Sequence, residues 1–525
     1  MPKADGRFKN IRVYWLAFVA YWGIVLFGYD VGIAGGVVTQ PYFQSHFGLI
    51  NADGTADTKR TNDVSSNVVS VLQAGAFFGS LGSAPISAKI GRKWTLLIFS
   101  LVFSLGAILT TVAGGKNGLS YIYAGRVISG VGIGAISAVA PAYVAECSPK
   151  DVRGRISGIF QIMVAIGVMI SYFINYGVGI SLTSTPNVWR IPFGFQLVPA
   201  GIMTFGLLTV RESPRWLATK DRTAEAIANL AYLRHDTEDS EAVRHEYAEI
   251  EAQINEERES RQGLGLKEAF FGKGNFIRFN IAFFIFLLQQ WSGQNSVGYY
   301  APQIFKSIGY TGHANSLLAS GVYGVVKVVA TALSVFFLTE SIGRKNGMLI
   351  SAFGMGALFF IIGAILKTHP PAVVPAGQPI PNPPEASKAM AAMLYIYVAF
   401  YSMGWGPLPW VYVVDIFPTR TRHYGLAVAC GSQWLFNFVV AKVTPTLETT
   451  LGYKLFFMFG TINLGGMFVF SAFLPETKGR SLEEMDVIFG SVTAEQRQAD
   501  IRKQEQARDH EVASVRSDDH SDQKV

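Results

Sequence analysis

Apolar residues run along this chain in successive blocks, each close to the length that a bilayer demands of a helix, about 20 mostly apolar residues. Twelve such blocks can be marked, at 13–36, 64–87, 94–113, 118–145, 156–180, 190–210, 277–305, 315–339, 346–366, 389–415, 423–446 and 452–474. They fill most of the chain between Val13 and Leu474. The pattern predicts an all-α protein of twelve membrane-spanning helices.

Composition agrees. Of 525 residues 50% are hydrophobic and only 15% charged, with 38 Phe, which is too apolar for a soluble protein of this size. The opening stretch MPKADGRFKNIR is basic, but the apolar run behind it is too long for a removable leader and lacks a cleavage site, so it reads as a true first span. Two cysteines, Cys147 and Cys430, cannot build a disulfide framework. The net charge of +7 belongs to loops rather than to a nucleic-acid surface. Basic residues cluster at one set of span ends: Arg92 and Lys93, Arg153 and Arg155, Arg344 and Lys345, Arg420 and Arg422, joined by Lys3, Arg7, Lys9 and Arg12. An even number of spans puts both termini on one side, and this bias makes that side the cytoplasm. Lys59, Arg60, Lys116 and Lys388 fall in outer loops, so the bias holds only close to the span ends.

The chain repeats itself. Gly91-Arg92-Lys93 after the second span returns as Gly343-Arg344-Lys345 after the eighth. Tyr143, Glu146, Pro149 and Arg153 after the fourth return at the same spacing as Tyr412, Asp415, Pro418 and Arg422 after the tenth. Two six-span halves running in the same direction mark a transporter with its site between them near the midplane. The expected layout is an N-terminal bundle over 1–210, a cytoplasmic linker over 211–276, a C-terminal bundle over 277–474 and a largely disordered tail over 475–525. The linker is polar and helix-prone and reads as short amphipathic helices. The tail from Ser491 is highly charged and almost without apolar residues.

Four charges stand inside spans. Lys327 lies near the middle of the eighth, twelve residues before Thr339, too deep to snorkel out and with no acid within a helical turn. A cation at that depth costs about 2.5–3.5 kcal/mol on insertion scales, so it should face an interior cavity and hold an anion there. A distant acid partner, or loss of the proton on burial, are the alternatives. Asp30 lies about 18 residues into the first span and Arg126 about 8 residues into the fourth, entered from the other side. At 1.5 Å per residue these depths coincide, so the two can pair. Lys442, near the outer end of span eleven, is expected to snorkel. No nucleophile–base pair or metal-ligand cluster appears, so no enzyme, metal or cofactor is expected.

Five motifs make the chain resemble the sugar porter family of the major facilitator superfamily. They are Leu338-Thr-Glu340-Ser-Ile-Gly343-Arg344-Lys345; Ile128-Ser-Gly130-Val-Gly-Ile-Gly134 with Tyr143, Glu146 and Arg153; Glu212-Ser-Pro-Arg-Trp-Leu217; Pro475-Glu476-Thr-Lys-Gly479; and Gln289-Gln290-Trp-Ser-Gly293-Gln-Asn295 with Tyr299 and Tyr300. The resemblance implies two six-helix bundles in pseudo-twofold arrangement, working by alternating access in a lipid bilayer. It implies proton coupling at Asp30 and Arg126. It implies hydrogen bonds to a small sugar-like substrate from Gln161, Gln289, Gln290, Asn295 and Gln433, ring cover from Trp410 and Trp434, and an outer gate at Tyr299 and Tyr300. A cytoplasmic latch would join Arg92, Arg153, Arg344 and Arg422 to Glu146, Glu212, Glu340, Asp415 and Glu476. Two positions depart from the family pattern. Ala88 stands where an Asp is usual before Gly91, which weakens or rearranges the first-half latch. Lys327 stands where neutral-sugar porters have Asn, in a Val-Val-Lys run that resembles fungal quinate and galacturonate porters. A carboxylate on the substrate would satisfy that lysine. The resulting expectation is proton-coupled import of a sugar acid such as galacturonate across the plasma membrane. A neutral glucose or xylose symporter, a quinate permease and a non-transporting sugar sensor are the alternatives.

Overall fold

A computed structural model describes residues 10–51, 56–115, 117–263, 265–272, 274–338, 341–372, 382–418, 420–480 and 482–490. Eleven helices in it are long and apolar enough to cross a membrane. The first six spans are α1 (Ile11–Val38), α2 (Thr58–Ile90), α3 (Arg92–Thr111), α4 (Gly118–Cys147), α5 (Lys150–Ser181) and α6 (Asn187–Thr209). The segment read as a single seventh span is instead broken in three, Asn275–Gln290, Gln294–Tyr299 and Ala301–Ser307, together α7. Then follow α8 (His313–Phe337), α9 (Arg344–Thr368), α10 (Glu385–Ile416), α11 (Arg422–Leu451) and α12 (Lys454–Phe473). Among the described residues no β-sheet forms; an isolated bridge joins Ile50 and Ala56.

Helices are the answer available to these sequences, because the hydrocarbon core supplies no partner for a free backbone group. Large apolar side chains such as Phe78, Phe205 and Phe473 stand on the outside, where lipid would meet them. Association inside the bundle relies on close backbone approach. A Cβ on Gly75 or Gly79 of α2 would lie 2.3 or 2.1 Å from a backbone oxygen of α4. One on Gly130 or Gly134 of α4 would lie 2.2 Å from an oxygen of α2.

The packing repeats across the sequence duplication. α1 packs on α5 as α7 packs on α11, and α2 on α4 as α8 on α10. Between the halves, α2 packs on α11 and α5 on α8, pairs that exchange under the six-helix repeat. Several side chains tie the halves together at the end remote from the Gly-Arg-Lys turns. Asn62 Nδ2 donates to Thr449 Oγ1 at 2.9 Å, His313 Nε2 meets Gln40 Oε1 at 2.7 Å, and Tyr172 donates to the Gly298 carbonyl at 2.5 Å. Lys442 belongs to this set. Rather than snorkelling outward, it bonds Asn67 and Ser66 of α2.

The stretch after α6 holds Pro214–Thr219, Thr223–Arg234, Glu241–Arg261 and Leu266–Phe271. The first three share a small core around Trp216, Leu230 and Tyr247. Arg234 anchors them, donating to the Cys147 carbonyl at 3.0 Å and pairing in a fork with Glu246. The tail was expected to be mostly disordered, but Leu482–Ile488 forms a helix. It is held by Asp486 on Arg278 of α7 at 2.6 Å, with Met485 and Phe489 packed inward. Ser491–Val525 lie outside the described residues.

Candidate functional site

The structure brings Asp30 and Arg126 together. Arg126 Nη1 donates to Asp30 Oδ1 at 2.6 Å, and each side chain is only 1% exposed. Arg126 Nε donates to the Val68 carbonyl at 3.0 Å. Gln196, at the turn that divides α6, donates to the same Asp30 oxygen at 2.7 Å. Asp30 Oδ2 and Arg126 Nη2 have no hydrogen-bond partner among the described residues. The carboxylate is thus held through one oxygen by two donors, and the other oxygen is left without a donor. Gln196 was missed from sequence; its signal was an amide inside the apolar run of α6.

A second group gathers at the first break of α7. Gln289 donates to the Trp405 and Gly406 carbonyls at 2.7 and 3.1 Å, which are freed because α10 is interrupted between Met403 and Leu408. Its amide nitrogen therefore repairs a broken helix, a structural duty where a substrate contact was expected. Gln290 donates to Gln289 Oε1 at 3.2 Å, and Asn295 donates to Gln290 Oε1 and to Asn437 Oδ1. Asn437, one turn beyond Gln433 on α11, also accepts from Tyr299 at 2.9 Å; it too was missed. Gln161 and Gln433 are half-buried and make no hydrogen bond among the described residues. The result is a row of amides, Gln289, Gln290, Asn295 and Asn437, with an unused oxygen on Asn295 and an unused nitrogen on Asn437; Gln433 stands one turn along α11, and Gln161 belongs to α5 of the other half. Amides supply both donors and acceptors to a polyhydroxylated ligand.

Lys327 is on α8, one turn from Tyr323, which donates to Gln294 at 3.0 Å, and one turn from Thr331, bonded to Ser402 of α10. The lysine is 6% exposed. No acid pairs with it and no hydrogen bond reaches it among the described residues. Trp410 is half-buried with its ring 4.4 Å from that of Phe286, and Trp434 of α11 meets Phe27 of α1 edge-on at 5.5 Å, across the two halves. Tyr299 and Tyr300 are buried; Tyr300 donates to the Ala441 carbonyl at 2.6 Å. The Tyr299 carbonyl lies against Gly35 of α1, where a Cβ would come within 1.9 Å.

At the Gly-Arg-Lys turns the two halves repeat each other. Arg92 forks onto Glu146 at 2.8–3.1 Å, and Ser213 donates to Glu146 at 2.6 Å. Arg344 meets Asp415 at 3.3 Å, and Thr477 donates to Asp415 at 2.9 Å. Glu212 accepts the backbone N–H groups of Arg92 and Lys93, and Glu476 those of Arg344 and Lys345, so each carboxylate caps a helix N-terminus. Burial raises the Glu212 pKa and outweighs the N–H groups of Ser213, Lys93 and Arg92. At the more exposed Glu476 burial pushes the same way, but N–H groups of Lys478, Arg344, Lys345 and Thr477 together bring the pKa below its ordinary value. Arg153 and Arg422 make no ion pair within 4 Å with these acids among the described residues, although Asp415 lies within electrostatic range of Arg422. They donate to the Ser148 and Phe417 carbonyls at 3.1 and 3.3 Å, capping the preceding helices. Glu340 lies outside the described residues. At Ala88, where the family acid is missing, the backbone carbonyl accepts from Trp216 Nε1 at 3.1 Å.

Gly91 has φ +99°, and a Cβ there would stand 2.3 Å from Glu212 Oε2. Gly91→Ala is therefore expected to lower stability by about 1–3 kcal/mol. The check is the thermal midpoint of the purified protein in detergent, with Gly82→Ala as control, since a Cβ at Gly82 meets nothing within 4 Å.

Two broken or interrupted helices, buried charges midway through the spans and a doubled six-helix plan define a membrane transporter. The model of the sugar (and other) transporter family matches residues 16–489. A probable quinate permease of Aspergillus niger is 38% identical over 485 residues, covering 91% of this chain and 88% of that protein. A quinate permease of Emericella nidulans is 36% identical over 484 residues, covering 91% and 89%. The xylose transporter XylE from E. coli, in a partially occluded inward-open conformation, superposes with a TM-score of 0.73 at 23% identity, covering 90% of this chain and all of that one. The chain belongs to the sugar transporter family, with the major facilitator fold. It is a multi-pass membrane carrier, not an enzyme, of a family that needs no cofactor.

Proposed function

We propose that this protein imports a ring-shaped polyhydroxy monocarboxylate together with protons, by alternating access between halves 1–210 and 277–474. Both termini are cytoplasmic in this reading, and the membrane is the plasma membrane. The observation that carries it is Lys327, a buried lysine with no acid partner among the described residues, one turn from Tyr323, which bonds Gln294 of α7. A substrate carboxylate would pair with it, and ring hydroxyls would meet Gln161, Gln290, Asn295, Gln433 and Asn437, with Trp410 and Trp434 against the ring. Tyr299 and Tyr300 serve as the outer gate, and the two Gly-Arg-Lys clusters as the cytoplasmic latch. Relatives named quinate permease at 36–38% identity favour quinate as the first acid to test. Galacturonate, which offers a pyranose ring and a carboxylate, is the second. Likeness to a proton:xylose symporter favours a neutral-sugar reading next, under which Lys327 is a structural cation.

The test is uptake of labelled quinate and galacturonate by cells lacking their own carriers, at pH 5 and pH 7.5, with xylose and glucose as competitors. Faster acid uptake at pH 5, inhibited by acids and not by neutral sugars, is the expected result. Uptake of xylose or glucose with no acid transport would replace the reading with the neutral one.

A further inference from the structure

We infer that this carrier is electroneutral, moving one proton with one cargo monoanion per cycle. The inference rests on the anionic-cargo reading above and fixes the charge that accompanies it. Four Asp, Glu, Lys or Arg side chains among the described residues lie more than two turns from both ends of their spans: Asp30, Arg126, Lys327 and Lys442. Lys442 is bonded to Ser66 and Asn67 at the end where the halves are tied, away from the centre. The balance at the centre is therefore set by the other three.

The groups around them do not add to it. Asp30 meets Arg126 of α4 and the neutral Gln196 of α6, with the phenols of Tyr29 on α1 and Tyr299 on α7 nearby. The buried face of α8 that carries Lys327 also carries Tyr323, whose titratable neighbours are Tyr172 of α5 and Tyr397 and Tyr401 of α10, all neutral phenols.

In the empty carrier, with Asp30 ionised, the three groups leave one positive charge uncompensated. Outside, the Asp30 carboxylate takes one proton and Arg126 loses its counter-ion. If the cargo is a monoanion bound at Lys327, the loaded centre again carries one positive charge. Inside, the proton and the anion leave and the ion pair re-forms. The moving protein then has the same charge loaded and empty, and neither crossing is penalised relative to the other. A neutral cargo with the same proton would cross with two unpaired cations, and burying each is costly.

The test uses the purified full chain in liposomes with labelled quinate or galacturonate as probe, and labelled xylose in parallel. One arm imposes an acid exterior without potential. The other imposes about 100 mV, inside negative, by a potassium gradient with valinomycin at equal pH. The pH arm is expected to drive accumulation of about tenfold per pH unit, and the potential arm to leave the level of acid unchanged. A carrier moving one net charge would respond about 50-fold to that potential. Acid accumulation driven by potential alone overturns the inference while leaving the anionic-cargo reading in place. Uptake of xylose with neither acid entering overturns both.

Discussion

Asp30→Asn is expected to abolish accumulation against a gradient while leaving exchange of substrate across the membrane. The side chain keeps its size and one acceptor oxygen, so the Arg126 and Gln196 donors at 2.6 and 2.7 Å can still be met. What is lost is the group that can be either charged or protonated, and with it the link between proton and cargo. In the wild type one pH unit is worth about 1.4 kcal/mol, or roughly tenfold accumulation for one proton. In the variant, with no membrane potential imposed, the inside-to-outside ratio should fall to about one, whatever the pH. Counterflow, in which labelled substrate exchanges with a preloaded unlabelled pool, needs no proton and should persist. The variant also leaves Arg126 as a buried cation without its counter-ion, which costs about 3–5 kcal/mol where no other group compensates. A loss of activity is thus informative only beside a stability measurement. The double variant Asp30→Asn with Arg126→Gln removes the unpaired charge, so it should recover thermal stability but not accumulation. If Asp30→Asn still concentrates substrate against its gradient, the proton enters elsewhere and the pair is static.

The same pair shows what the sequence made legible. Depth along a helix is linear in residue number, so counting from opposite ends placed Asp30 and Arg126 at one level without knowing the fold. The duplicated motifs were legible for a similar reason: identical spacing in two halves implies identical placement, and Glu212 and Glu476 do cap equivalent helices. What spacing does not encode is which groups a side chain meets across the bundle. Gln196 and Asn437 were single amides in apolar spans, with nothing local to separate a functional amide from one that binds helices together. Gln289 was read as a ligand contact, but the interruption of α10 exposes two carbonyls that take its nitrogen. Sequence reading puts Arg153 and Arg422 in a latch with the acids, but each donates to the carbonyl five residues back. Lys442 was given to the membrane interface because nothing local reveals that α2 presents Asn67 to it. The continuous apolar pattern over 277–305 hid the breaks in α7, although Gly293, at φ +94°, was the residue that allowed the first one.

Lys327→Asn is expected to separate the acid from the neutral reading of the site. Asn is shorter, uncharged and able to hydrogen-bond a hydroxyl, so the variant trades an anchor for a carboxylate against one more amide in the row. A charge-assisted hydrogen bond contributes about 1.5–3 kcal/mol, which corresponds to about 10–150-fold in affinity. Half-saturation for quinate or galacturonate should rise by that factor, and neutral sugars should begin to compete. The proton dependence should remain, because Asp30 and Arg126 are untouched. Stability gives the second readout. With no acid partner among the described residues to strand, removing a buried cation takes away a desolvation cost, so the variant should fold at least as well as the wild type. A structural lysine predicts the opposite: a lower thermal midpoint with substrate preference unchanged. Lys327→Met sharpens the distinction, since it fills the same volume without any polar group. If it keeps wild-type affinity for the acid, the carboxylate is held elsewhere and the unused amide atoms of Asn295 and Asn437 become the first place to look.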